Sequence, residues 1–174
     1  MKKYLPLILI GVGLLVVALV LILVKNSRKA DTSEEEETVK EIPADQRPLV
    51  SLTPTSDGHW LTFRVQKIKV KDATSMDYEL IYSTTSGGQQ GVPGTVKLSG
   101  DIERKLLLGS ESSGKFRYDE GVDGGTLTIR FRNSKGKLLG KLSTKFTLTS
   151  PKKGVFEVTM DTFAEGTKTF SSAN

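Results

Sequence analysis

The residue types that perform most enzyme chemistry are scarce in this chain, which has one histidine and no cysteine. The histidine, His59, stands beside the only tryptophan, Trp60, after a Ser56-Asp57-Gly58 turn. A Ser–His–Asp triad needs its nucleophile in a suitable elbow, and the serine-rich run 109–114 does not fit that motif. A zinc site needs more histidine or cysteine, and phosphate-binding and dinucleotide fingerprints are absent. We therefore predict a non-enzymatic protein without a cofactor, and a hydrolase is the least favoured alternative.

One acidic cluster could bind a metal ion. Asp119, Glu120 and Asp123 lie close together between glycines. Hard cations such as Ca²⁺ take about six to eight oxygen ligands, so these carboxylates are a weak calcium candidate. The cluster lacks the Asp-x-Asp-x-Asp-Gly spacing and the distal glutamate of an EF-hand. The simpler interpretation is a glycine-rich connection between strands, with its acids in solvent.

Basic residues provide the most usable surface signal. Residues 46–174 hold 19 Lys and Arg against 13 Asp and Glu, a net charge of +6 in a chain of +5. Several lie at polar positions of alternating segments, namely Arg64, Arg130, Arg132, Lys141 and Lys145. If their strands adjoin in one sheet, they form a stripe suited to an anionic cell-surface polymer or to lipid headgroups. The competing interpretation is that these charges serve solubility and edge protection. Nucleic acid is not expected, because no aromatic platform interleaves with them.

Period-two alternation of apolar and polar residues dominates the sequence after residue 46. In the segment 60–65, Leu61, Phe63 and Val65 face one side while Thr62 and Arg64 face the other. The pattern recurs at 78–83, 126–132, 142–148 and 155–160. Glycine-rich turns separate roughly eight or nine such strands, and no segment has convincing helical periodicity. We predict an all-β fold, an antiparallel β-sandwich over residues 48–162, with a C-terminal tail over 163–174.

The alternation changes phase near Gln66 and Lys67, because Ile68 and Val70 continue it on even positions. A side-chain period of two cannot change phase without an extra residue. We therefore predict a bulge, or a strand that switches sheets, at this point.

This plan resembles the immunoglobulin-like and fibronectin type III-like sandwiches that are carried on membrane anchors. The resemblance covers residues 48–162 and depends on strand number, strand spacing and Trp60 in an early strand. The Cys–Trp–Cys pattern of antibody domains is absent from this chain. The resemblance implies an immunoglobulin-like ectodomain.

An uninterrupted apolar run precedes all of these segments. It begins at Leu5 and ends at Val24, carries no charge, and is followed by Lys25. At about 1.5 Å per residue it spans roughly 30 Å, the thickness of a bilayer's hydrocarbon core. A cleaved signal peptide would have a shorter apolar stretch and a cleavage site, and a buried core helix would show a polar face. We predict a retained, single-pass signal-anchor over residues 1–29.

Acidic residues dominate the segment that follows. Residues 30–45 contain seven acids against Lys40 alone, a net charge of −6. Because like charges repel and few apolar residues are present, we predict a disordered stalk over 30–47. Basic residues flank the apolar run on both sides, so the positive-inside rule is close to a tie. The export-like start and the ectodomain character of 48–162 favour an extracytoplasmic C-terminal domain.

These features predict a membrane-anchored, non-enzymatic β-sandwich that displays a basic domain for binding or envelope interaction. Its expected partners are the lipid bilayer, through the N-terminal helix, and an anionic cell-surface polymer or an envelope protein. The main alternative is a structural subunit of a surface filament or envelope complex, recruited by strand addition at an exposed sheet edge.

Overall fold

Alternating apolar residues form the β-strands of the computed structural model, which describes residues 41–173. A short 3-10 turn at Ala44–Gln46 precedes them. The strands are β1 (Leu49–Pro54), β2 (Trp60–Gln66), β3 (Ser75–Ser83), β4 (Gln89–Lys97), β5 (Ile102–Leu107), β6 (Gly109–Ser112), β7 (Lys115–Tyr118), β8 (Gly124–Arg132), β9 (Leu138–Lys152), β10 (Val155–Asp161) and β11 (Thr167–Ser171).

The strands form three antiparallel sheets. The small sheet has the order β1-β2-β5, the large sheet has the order β11-β10-β9-β8-β3-β4, and β6 pairs with β7 in a separate hairpin. The registers are antiparallel throughout these sheets. The predicted all-β antiparallel class is therefore confirmed.

The small and large sheets share one hydrophobic core, the arrangement of a β-sandwich. Leu61, Phe63 and Val65 are fully buried on one face of β2, as the alternation predicted. The ring of Phe63 meets the ring of Tyr78 on β3, with centroids 5.2 Å apart, and so joins the two sheets. Close packing makes such residues costly to truncate, at about 3–5 kcal/mol for a buried Phe changed to Ala. The large sheet contributes Met76, Leu80, Tyr82, Val96, Leu127, Ile129, Phe131, Leu142, Phe146, Leu148, Val158 and Met160 to the core.

The folded unit extends beyond the predicted limits of 48 and 162. Ile42, inside the predicted stalk, is only 3% exposed and belongs to the core. The predicted tail contains β11, which pairs with β10 from Thr167 to Ser171. Ile42 is a single apolar residue among acids, and β11 has only five residues, so neither gives a strong local signal of folded structure. Their structural role depends on partners that are distant in sequence.

The predicted phase change at Gln66 and Lys67 coincides with the end of β2. Lys67 has φ 55°, a left-handed conformation that ends the strand, and its N–H donates to the Asp101 carboxylate at 3.3 Å. The chain then crosses from the small sheet to the large one, where β3 begins at Ser75. Ile68 and Val70 pack against the core from this crossover, so no bulge is needed to accommodate the change of phase.

Within residues 41–173, the structure contains no helix of the length and apolarity that crossing a membrane requires. The predicted anchor, with Leu5, Val24 and Lys25, lies outside the described residues. The same is true of residues 30–40 of the predicted stalk.

Candidate binding site

Four aromatic side chains meet at one end of the sandwich and form what we call the aromatic cluster: His59, Trp60, Phe116 and Tyr118. His59 stacks on Tyr118 with centroids 4.0 Å apart and planes 10° from parallel. Trp60 meets Phe116 edge to face at 5.7 Å. The rings of Phe116 and Tyr118 are 5° from parallel, with centroids 6.3 Å apart. Phe116 and Tyr118 are nevertheless 46% and 39% exposed, unlike the other large hydrophobic residues among 41–173.

The turn between β1 and β2 positions His59 and Trp60. Asp57 accepts hydrogen bonds from the Thr55 hydroxyl and, at 3.1 Å, from the His59 N–H. These bonds, that from Thr55 foremost, hold the pKa of Asp57 below its ordinary value. Gly58 has φ 72°, and a Cβ there would lie 2.6 Å from the ring of Phe156. The turn therefore depends on glycine both for its conformation and for its packing.

The β6–β7 hairpin positions Phe116 and Tyr118. Its tip residues, Ser113 and Gly114, have φ 52° and 75°, the positive values of a type I′ turn. Because strand side chains alternate, Phe116 and Tyr118 share one face of β7, and Arg117 points to the other. A Cβ on Gly109 would lie 2.1 Å from the Arg117 carbonyl oxygen, so only glycine permits this approach of the two strands.

Hydrogen bonds attach the base of the hairpin to the sandwich. The N–H of buried Leu108 donates to the His59 carbonyl at 2.9 Å, and the Asp119 N–H donates to the Leu108 carbonyl at 3.0 Å. The Tyr82 hydroxyl rises from the core and donates to the Asp119 carboxylate at 2.9 Å. Burial, together with that carboxylate, raises the pKa of Tyr82, so the phenol remains a donor.

A polar pocket of about 280 Å³ adjoins the aromatic cluster. Thr84, Thr85 and Ser86 line one side, in the connection between β3 and β4. The other side is formed by Arg117, Tyr118, Asp119 and Glu120. The N–H and hydroxyl of Thr85 both donate to the Glu120 carbonyl, at 3.2 and 3.1 Å, which fixes the two walls relative to each other. Tyr118 belongs to both the pocket and the cluster.

The five predicted basic residues divide between the two sheets. Arg130 and Arg132 on β8, and Lys141 and Lys145 on β9, lie on the outer face of the large sheet, where Arg130 is the register partner of Lys141. Arg64 lies on β2 in the small sheet, on the opposite side of the core. The structure therefore brings four of the five residues together and leaves Arg64 apart.

The arginines among these residues are paired with acids. Arg132 Nε lies 2.6 Å from Asp77, and Arg130 lies 3.3 Å from Glu79, both acids being on neighbouring β3. Arg64 Nε lies 2.7 Å from Glu103 on β5. Burial alone would raise the pKa of Asp77, but hydrogen bonds from Arg132 and Thr95 outweigh it and lower that pKa.

Two lysines therefore carry the uncompensated charge of this stripe. Neither Lys141 nor Lys145 has an ion pair within residues 41–173. The stripe is consequently a mixed-charge surface with two free cations and has no continuous anion-binding face.

The calcium candidate is not assembled into a site. The Asp119 carboxylate accepts from Tyr82, whereas Glu120 and Asp123 engage Thr85 and Leu148 through their backbone carbonyls. Among residues 41–173, no group of three or more acidic or histidine side chains could hold a metal ion.

Sequence reasoning did not identify the aromatic cluster. Two signals were available: Trp60 lies on the same phase of β2 as outward-facing Thr62 and Arg64, and Phe116 and Tyr118 alternate with basic residues. The contact between the β2 end and the hairpin is long-range, so local patterns do not encode it.

Comparisons with protein-family models, with curated proteins and with solved structures found no match to this chain.

Proposed function

We propose that this chain is a non-enzymatic binding protein, held at a membrane by its 5–24 segment, that contacts an extracytoplasmic partner through the aromatic cluster. The observation that carries the proposal is the exposure of Phe116 and Tyr118, at 46% and 39%, on a hairpin fixed to the sandwich. Exposed aromatic residues that are held rigidly are typical of binding surfaces, because little side-chain entropy remains to be lost.

The exposed ring area sets the scale of the interaction. Covering the free parts of the two rings would bury roughly 200 Å² of apolar surface, worth about 4–5 kcal/mol before association costs. Association costs of about 4 kcal/mol or more offset most of this free energy, so burial of the two rings alone gives binding weaker than about 1 mM. Tighter binding requires polar contacts, which the adjoining pocket can supply, or repeated contacts with one partner.

The cluster lies at the end of the sandwich opposite the entry of the chain. Glu41 contacts Lys141, and with Val70 and Leu139 it lines one cavity near the end of β2. Trp60 lies at the beginning of β2, six residues before its last residue, Gln66, along a strand that rises about 3.3 Å per residue. The aromatic cluster is therefore about 20 Å from the Gln66 end of β2.

The strand order supports the immunoglobulin-like interpretation. The small sheet, β1-β2-β5, corresponds to strands A, B and E of that fold, and β4-β3-β8-β9 corresponds to C′, C, F and G. Strands β10 and β11 then extend the sheet beyond G. In immunoglobulin-like domains, binding commonly uses loops at one end of the sandwich, as proposed here.

The alternative of a structural subunit recruited by strand addition has less support. Strand β4 is a free edge of the large sheet, and Pro93 lies at its centre. Backbone hydrogen bonds at Gly88 and Leu98 place Pro93 among the residues whose backbone faces away from β3. Proline at such a position removes a donor from the open edge and opposes pairing with another strand.

Cosedimentation tests the binding role. The full-length chain in nanodiscs is mixed with envelope fragments from cells that produce it, and bound protein is measured. We expect wild type to bind and the Phe116→Ala/Tyr118→Ser variant to lose at least about tenfold in affinity, since both exposed rings are removed. A matched control, Thr147→Ala/Thr149→Ala on the outer face of the large sheet, should bind as wild type does. Equal binding by all three proteins would exclude the aromatic cluster.

Protease treatment of intact cells tests the location. We expect external protease to digest residues 41–173 while the cell membrane is intact. Digestion only after permeabilisation would overturn the extracytoplasmic assignment.

A further inference from the structure

We propose that the ligand of the aromatic cluster is a glycan chain, whose sugar rings stack on Phe116 and Tyr118 and whose hydroxyl groups enter the polar pocket. This inference rests on the proposed function and specifies its ligand class.

The ring geometry suits a pyranose. The C–H groups on the flat side of a sugar ring carry partial positive charge, and the face of an aromatic ring is negative. Phe116 and Tyr118 lie two residues apart on β7 with near-parallel planes, so one extended chain can meet rings of the same orientation at both positions. His59 contacts Tyr118 and Trp60 contacts Phe116, and these contacts restrict the orientation of both rings.

The pocket supplies the second half of sugar recognition. A sugar has an apolar face and a rim of hydroxyl groups, and it therefore needs an aromatic platform beside hydrogen-bonding side chains. Asp119 and Glu120 offer acceptors, and Ser86 offers a hydroxyl that can donate or accept. Tyr118 lines both the pocket and the cluster, so a single ligand can use both together.

Other ligand classes fit less well. A stable protein partner normally covers about 800 Å² per side, far more than the two exposed rings provide. A nucleic acid is disfavoured because the three acids on or beside the hairpin, Glu111, Asp119 and Glu120, outnumber its two basic residues, Lys115 and Arg117. A repeating polymer also offsets weak single contacts by presenting many equivalent units.

Selective destruction of the envelope material tests this inference with the full-length chain in nanodiscs. One sample of envelope fragments is digested with protease and a second is oxidised with periodate, which cleaves the vicinal diols of sugars. We expect binding to survive protease and to fall at least about tenfold after periodate. Binding lost to protease and kept after periodate, yet still dependent on Phe116 and Tyr118, would overturn the glycan and leave the binding role intact. Absence of binding to untreated fragments would overturn the binding role itself.

A soluble probe gives an independent readout. The glycan fraction released from protease-treated fragments is titrated into the protein while Trp60 emission, the only tryptophan signal in the chain, is recorded. We expect a saturable change with wild type and none with Phe116→Ala/Tyr118→Ser. The Thr147→Ala/Thr149→Ala variant should give the wild-type curve and thereby exclude a general effect of surface substitution. An unchanged emission with wild type at glycan concentrations that compete for fragment binding would contradict stacking at the cluster.

Discussion

The basic stripe and the aromatic cluster, two outward-facing regions of the sandwich, differ in how much of their side chains remains available to a partner. On the outer face of the large sheet, Arg130 and Arg132 are compensated by Glu79 and Asp77 on the neighbouring strand. At the hairpin end, Phe116 and Tyr118 are supported by neighbouring rings but keep much of their surface in solvent. In the basic stripe, the arginines are paired with acids of the same sheet. In the aromatic cluster, part of each ring surface remains available to a partner.

The difference shows that composition alone does not identify a binding surface. The net charge of +6 over residues 46–174 predicts a basic surface, yet pairing across adjacent strands reduces what its arginines can offer to a ligand. Aromatic residues are few in this chain, and four rings become a surface only because a turn and a hairpin bring them together. Whether a side chain is available to a ligand depends on its neighbours in the fold, and for these residues those neighbours are distant in sequence.

The largest expected effect comes from comparing a variant of the aromatic cluster with a variant of the basic stripe. Phe116→Ala/Tyr118→Ser should reduce binding to envelope fragments at least about tenfold. It should also lower the free energy of unfolding by about 1–3 kcal/mol, because the ring contacts with His59 and Trp60 are lost. Arg130→Gln/Arg132→Gln should change binding less than about twofold and lower the free energy of unfolding by about 1 kcal/mol, because ion pairs are lost. Cosedimentation and urea titration measure the two quantities. The reverse pattern would identify the basic stripe as the binding surface.

A second test destabilises the hairpin without substituting an aromatic residue. Gly109→Ala places a Cβ against the Arg117 carbonyl and should destabilise the hairpin by about 1–3 kcal/mol. Gly114→Ala at the tip meets open space and should cost only about 1 kcal/mol, through its positive φ. Hydrogen exchange of the β6 and β7 amides reports the local opening. Equal protection in both variants would show that the close approach does not hold the hairpin.

A third test loosens the attachment of the hairpin from inside the core. Tyr82→Phe removes the hydrogen bond to Asp119 and should lower the free energy of unfolding by about 1 kcal/mol. Binding should fall about two- to fivefold as Tyr118 loses its fixed position. Tyr78→Phe is the matched control, since its hydroxyl has no hydrogen-bond partner among residues 41–173. A larger effect for the Tyr78 variant would contradict the role given to Asp119.

The smallest expected effect is the pH dependence of the stability that Asp77 contributes in the basic stripe. The folded pKa of Asp77 is lowered, so its contribution to stability is present above the ordinary value of 3.8 and is lost as pH falls through the lowered value. Asp77→Asn should therefore cost less than about 1 kcal/mol at pH 7. The two unfolding curves should converge as the pH falls below 3.8. A difference that persisted unchanged in strong acid would show that the carboxylate charge is not its source.

The sequence was sufficient to predict the sandwich core but not the site. Leu61, Phe63 and Val65 alternate with polar residues, and such a pattern directly reports which side of a strand is buried. The hairpin has two four-residue strands with no buried residue, so its serine-rich first half has no alternation of apolar and polar residues that would predict a strand. No local rule predicts that His59 stacks on Tyr118. That contact depends on how the β1–β2 turn and the hairpin pack in three dimensions.

Trp60 emission during a titration with envelope fragments tests the central claim most directly, because the reporter lies within the proposed site. We predict a saturable change in emission whose midpoint equals the midpoint of cosedimentation, and the loss of both in Phe116→Ala/Tyr118→Ser. Binding that saturates without any change at Trp60, and that is unaltered in this variant, would place the partner elsewhere on the molecule and contradict the account.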